Sequence, residues 1–157
     1  MRALVLGFMC LACGSSGTTS SPCPGPGCAC TASTCTCTTG QCSWNGTGCD
    51  PTGGSCTFQC NGGTTCQGSC NGSCSAECKQ GSMCTLSTGH SGSVSCTQSS
   101  CDVTVGQSGS VTCDMGATCH ITCASSCSVS CSGGSTCDLK CSGDPTAHAV
   151  TGSGSCQ

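Results

Sequence analysis

The sequence predicts an all-β chain, a narrow two-sided β-solenoid with coils of about 18 residues and a disulfide-filled core, on three observations. Cysteine supplies 26 of the 157 residues, about twice the ~8–10% that marks a disulfide scaffold in a short exported chain. Leu, Ile, Val and Phe number 15, five of them in the first twelve residues, so ten remain to build an apolar core. From Cys56 onward a five-residue unit recurs, a Cys, an outward residue, an apolar or small residue, another outward residue and a Cys. A repeat of this kind signals an array in which neighbouring units bury what none can bury alone.

The first element is residues 1–12, MRALVLGFMCLA, where one Arg precedes a short apolar run ending in small residues. That pattern is a signal peptide, and the run is too short for a spanning helix, which needs ~20 apolar residues. Residues 13–21 are a polar tether of Gly, Ser and Thr after Cys13, with nothing to bury. Residues 22–55 keep the Cys density but lose the phase, and are expected to form a Cys-rich irregular N-terminal cap or irregular coils, with Trp44 over the first coil.

Residues 56–141 carry ten segments, beginning with CTFQC (56–60) and ending with CDLKC (137–141), whose starts lie 8 to 10 residues apart. Two segments make a coil of 18 residues, or 17 once, so five coils are expected. Within each segment positions 1, 3 and 5 hold Cys or small and apolar residues and positions 2 and 4 hold mostly polar ones, the period of a strand. The β-branched centres Val94, Val103, Val111, Ile121 and Val129 favour strand as well. Gly, Asn and Ser fill the turns between segments. Residues 142–157 are the expected C-terminal cap, with TAHAV (146–150) as a degenerate last strand.

The repeat narrows the disulfide pairing. In a flattened coil the end of one strand faces the start of the next, which pairs Cys60 with Cys66, Cys78 with Cys84, Cys96 with Cys101, Cys113 with Cys119 and Cys131 with Cys137 across the long turns. Across the short turns lie Cys70 and Cys74, Thr88 and Gly92, Val105 and Gly109, and Cys123 and Cys127: both members are Cys or neither is. The competing register, joining the first and last residues of one coil, would set Cys74 opposite Thr88 and Cys123 opposite Gly109. The ends close as Cys49 with Cys56 and Cys141 with Cys156, and six Cys between 23 and 42 remain in even number without an assigned pairing. Only Cys10 and Cys13 then stand outside the scheme.

Those two residues lie in Cys10-Leu11-Ala12-Cys13, which resembles the lipobox of bacterial lipoproteins with Cys10 in place of the usual Leu. The resemblance implies cleavage before Cys13, a lipid on that residue, and a membrane partner reached through the anchor. The whole chain resembles Cys-rich repeat lipoproteins of unknown function from myxobacteria and related bacteria, on Cys13 and the Cys-x-Val-x-Cys repeats. It implies an outer-membrane or cell-surface location and a structural or surface-binding role. Secretion without an anchor is the other export reading.

Few residues suggest chemistry. A net charge of −3 with three Lys/Arg and 2% aromatics speaks against a nucleic-acid partner. His90, His120 and His148 are isolated and no nucleotide-binding or hydrolase motif occurs, so neither an enzyme nor a cofactor is expected. Stacking places Asp102, His120 and Asp138 in one outward column, a weak metal candidate that a solvated charge ladder explains better. The many closely spaced Cys also admit a thiolate metal-binding protein. The outward rows Thr57/Gln59, Ser75/Glu77, Ser93/Ser95, Ser110/Thr112 and Ser128/Ser130 are similar to the hydroxyl face of the beetle antifreeze proteins, which implies ice binding as a further alternative. The identity of any protein or surface ligand is not encoded in these patterns.

Overall fold

A computed structural model describes residues 27–30, 34–45, 56–70 and 72–157. The expected signal peptide and tether, with Cys13, and also Cys49 lie outside the described residues. No helix occurs among the described residues. The strands are β1 (Cys28–Cys30), β2 (Thr34–Cys37), β3 (Gln41–Asn45), β4 (Cys56–Cys60), β5 (Thr65–Cys70), β6 (Cys74–Lys79), β7 (Met83–His90) and β8 (Ser93–Thr97). They continue as β9 (Ser100–Gln107), β10 (Gly109–Asp114), β11 (Thr118–Cys123), β12 (Cys127–Cys131), β13 (Thr136–Cys141), β14 (His148–Val150) and β15 (Gly152–Cys156).

Successive strands alternate between two sheets, which makes the molecule a two-sided β-solenoid. The first sheet runs β1-β2-β4-β6-β8-β10-β12-β15 and the second β14-β13-β11-β9-β7-β5-β3. Neighbours are parallel and in register at the repeat spacing, so that Val94 lies between Ala76 and Val111, and Ile121 between Val103 and Leu139. Only the end strands β1, β14 and β15 pair antiparallel. Within the strands the burial alternates with period two, as in Cys127–Cys131, because each side chain points to the opposite face from the one before it.

Residues 34–45, expected as an irregular cap or irregular coils, form a further coil of the stack in parallel register. Strand β2 pairs parallel with β4, setting Cys37 beside Cys60, and β3 pairs parallel with β5, setting Cys42 beside Cys66. At the other end, residues 142–157 close both sheets with reversed strands, and the segment 148–150 is the strand that covers β13.

The core is one apolar side chain per strand flanked by sulfur. Phe58, Ala76, Val94, Val111 and Val129 line one sheet, and Leu86, Val103, Ile121 and Leu139 line the other, all buried. Trp44, on β3 of this further coil, covers the first coil from within the core: it is buried, and its ring stacks on Phe58 at a centroid distance of 5.0 Å. Gly68 is the register partner of Trp44, and a β-carbon there would stand 2.9 Å from Trp44 Cε3 and 3.1 Å from Leu86 Cδ2. The missing side chain is what admits the indole.

At the long-turn edge six bridges follow one another along the stack: Cys37–Cys42, Cys60–Cys66, Cys78–Cys84, Cys96–Cys101, Cys113–Cys119 and Cys131–Cys137. The long turns stack as well. In the last five of them the second residues, Gly62, Gln80, Gln98, Met115 and Gly133, take positive φ, and backbone bonds such as Thr118 N–H to Ser99 O and Thr136 N–H to Ala117 O link turn to turn. The short-turn edge carries Cys70–Cys74, Cys123–Cys127 and Cys141–Cys156. Between the first two of these bridges, Thr88 faces Gly92 and Val105 faces Gly109 without sulfur. The N-terminal Cys30–Cys35 bridge joins β1 to β2, and Cys28 and Cys56 are also disulfide-bonded.

Candidate functional site

The strand register assembles one extended polar surface, the outer face of the first sheet. Strands of a sheet lie about 4.8 Å apart, and alternate residues of a strand about 6.6 Å apart. The two outward positions of each strand therefore become two columns of a regular grid. The first column is Thr34, Thr57, Ser75, Ser93, Ser110, Ser128 and Ser155, a hydroxyl in every one of seven rows. The second is Thr36, Gln59, Glu77, Ser95, Thr112, Ser130 and Ser153, interrupted only at Gln59 and Glu77.

The face is close to electrically neutral. Its carboxylates are Glu77 and, at the long-turn end of β10, Asp114; Lys79 Nζ pairs with Glu77 Oε2 at 2.6 Å while Gln59 Nε2 donates to the same oxygen at 3.4 Å. Ser110 Oγ donates to Ser93 Oγ at 3.5 Å, so neighbouring rows are linked weakly and their hydroxyls stay available. Between the columns the backbone of Val111, Val129 and Gly154 floors a shallow groove of about 420 Å³. The exposed large apolar side chains among the described residues, Met83 and Met115, lie off this face.

Four of these row members were absent from the sequence reading. Thr34 and Thr36 belong to the coil hidden in the N-terminal cap, and Ser153 and Ser155 lie on the reversed strand β15. Their serine and threonine spacing of two residues is visible in the sequence, but the repeat length that would align them is not.

On the opposite face the column Thr85, Asp102, His120, Asp138 forms in register. His120 Nδ1 lies 3.3 Å from Asp138 Oδ2, and both side chains are open to solvent. Asp102 is the neighbour of His120 on the other side, but the three donor groups do not converge. Among the described residues, the metal-ligand atoms that gather in threes within 4.8 Å all belong to buried cysteines, such as Cys78, Cys84 and Cys101. Those sulfurs are held in disulfides, which do not offer thiolate. His148 and His90 stand apart from this column, His148 beside Asp144 at 3.7 Å.

No family model matches the chain, and neither a curated protein nor a solved structure matches it.

Proposed function

We propose that the chain is an exported, lipid-anchored surface protein whose solenoid is a rigid, non-catalytic module presenting a flat β face to its surroundings. The observation that carries this is the unbroken series of six buried bridges along the long-turn edge. Such a core requires an oxidising compartment, and the Cys10–Cys13 segment supplies the export and anchoring signal. The tether at 13–21 sets the solenoid off the membrane, at the outer membrane or cell surface.

Expression in a lipoprotein-processing bacterium tests the anchor. The mature chain should begin at a lipid-modified Cys13 and fractionate with membranes, and Cys13→Ala should release it. Retention of residues 1–12, or membrane association unchanged in Cys13→Ala, would overturn the anchor.

The seven-row hydroxyl column favours a second reading, ice binding through the first sheet. A neutral grid of hydroxyls can match a periodic surface in a way a scattered set cannot. Shaping of ice crystals by the purified protein, abolished by Ser93→Lys with Ser110→Lys, is the expected result; unshaped crystals would remove this reading.

A further inference from the structure

Two neighbouring bridges close the C-terminal end of the short-turn edge, Cys123–Cys127 and Cys141–Cys156. Cys127 and Cys156 are direct partners across β12 and β15, and Cys123 and Cys141 across β11 and β13. The sulfurs of Cys123, Cys127 and Cys156 all lie within 4.8 Å of one another, although Cys156 is bonded to Cys141. Cys141 is the partly exposed member of the four, and the other three are buried. At the long-turn edge sulfurs of adjacent bridges also approach, as in Cys60, Cys66 and Cys84, but every one of them is buried.

Disulfides exchange by attack of a thiolate on a sulfur, so access and proximity decide which bridges respond. We infer that these four cysteines form a thiol–disulfide exchange centre that takes two electrons from an external dithiol. One thiolate of the dithiol attacks Cys141 Sγ, the Cys141–Cys156 bond breaks, and its electron pair leaves on Cys156. The second thiol of the reductant then resolves the mixed disulfide, freeing Cys141 as thiol and departing as the oxidised disulfide. The Cys156 thiolate attacks Cys127 Sγ, forming Cys127–Cys156 and displacing Cys123 as thiolate. This last step is isoelectronic: one bridge forms, one breaks, and the free thiols move from Cys141 and Cys156 to Cys141 and Cys123.

Two features of the fold confine the exchange. The next coil along this edge presents Val105 in register with Cys123 and Gly109 in register with Cys127, so no further sulfur continues the series. Strand β15 stays covalently tied in the reduced state, now through Cys127 instead of Cys141. The product carries a buried thiol at Cys123 and a partly exposed one at Cys141, neighbours across β11 and β13, so a disulfide-bearing oxidant removes the electrons by entering at Cys141.

Limited reduction of the folded chain with dithiothreitol at about pH 8.5, where much of a free thiol is thiolate, followed by alkylation and mapping of linked peptides, tests this. The expected species carries label at Cys123 and Cys141 and a Cys127–Cys156 link, and it forms before any label reaches Cys60 to Cys119, whatever happens at Cys30–Cys35. Doubly labelled molecules marked at Cys141 and Cys156 alone would overturn the inference. In Cys123→Ser the freed Cys127 stands beside the intact Cys141–Cys156 bridge, so label should appear at Cys141 without any reductant. Label at Cys127 instead would refute the exchange, and if that variant does not fold the wild-type mapping decides.

Discussion

Gly109 faces Val105 across a short turn, so closely that a β-carbon on the glycine would stand 2.3 Å from Val105 Cγ1. The equivalent β-carbon on Gly92 would stand 2.4 Å from Thr88 Cβ. At the neighbouring turns the same positions are the bridged pairs Cys70–Cys74 and Cys123–Cys127, with Cα atoms 6.5 and 6.1 Å apart. The edge is thus closed in two ways, by sulfur or by a branched side chain filling the space a glycine leaves. Gly109→Ala should cost about 1–3 kcal/mol by overpacking. Val105→Ala should relieve part of that, giving a coupling of roughly 0.5–3 kcal/mol in a double-mutant cycle followed by chemical denaturation; strictly additive effects would show that the two do not share the space.

The aromatic pair gives a second expectation. Gly68→Ala places a methyl against the indole of Trp44 and the Leu86 side chain, and an overpacking cost of about 1–3 kcal/mol is expected. Phe58→Ala opens the other side of the same stack and should cost about 3–5 kcal/mol. Tryptophan emission reports both, because Trp44 is the chain's one Trp.

Removing a single inner bridge should be severe for its small loop. The double replacement Cys96→Ala and Cys101→Ala leaves no stray thiol and deletes one buried rung of six. Loss of about 2–5 kcal/mol is expected, read as a lower denaturation midpoint with the remaining bridges intact by mass. A midpoint equal to that of the parent chain would show that the apolar column, not sulfur, sets stability there.

The His120–Asp138 pair should matter little for stability. Its side chains are 60% and 39% exposed, and ion pairs open to solvent contribute at most about 1 kcal/mol. His120→Ala is expected to leave the denaturation midpoint nearly unchanged, and a drop beyond that limit would mean that the column is structurally engaged.

The repeat could be read from the sequence where its length is constant. The Cys-x-Val-x-Cys alternation specifies which face each residue takes, and the near-constant 18-residue step specifies its neighbour above and below. Residues 34–45 escaped that reading because the partners Cys37 and Cys60 lie 23 residues apart, and Cys42 and Cys66 lie 24 apart. The extra chain between β3 and β4 shifts the phase without changing the strands. The end strand β15 escaped it for another reason: reversal of direction keeps Ser153 and Ser155 on the hydroxyl face but destroys their offset from Ser130 and Ser128. The Trp44–Phe58 stack depends on a residue that contributes no side chain, Gly68, and composition carries no trace of such a vacancy. The Asp102, His120 and Asp138 alignment was legible, since it needs only the coil length, whereas the convergence of donor atoms depends on side-chain directions that spacing does not fix.

The reversed strands at the ends of the stack also bear on how large the object can become. A parallel coil array is in principle a polymer that lengthens whenever another copy lays its first coil on an open rim. Here three of the four rims among the described residues are occupied by β1, β14 and β15, two of them only three residues long and all running against the grain of the repeat. Short, irregular border strands are poor templates for a neighbouring chain. Growth by fibre-like addition is blocked at those rims, and the solenoid behaves as a measuring rod of fixed length, which lets many copies crowd together as separate units.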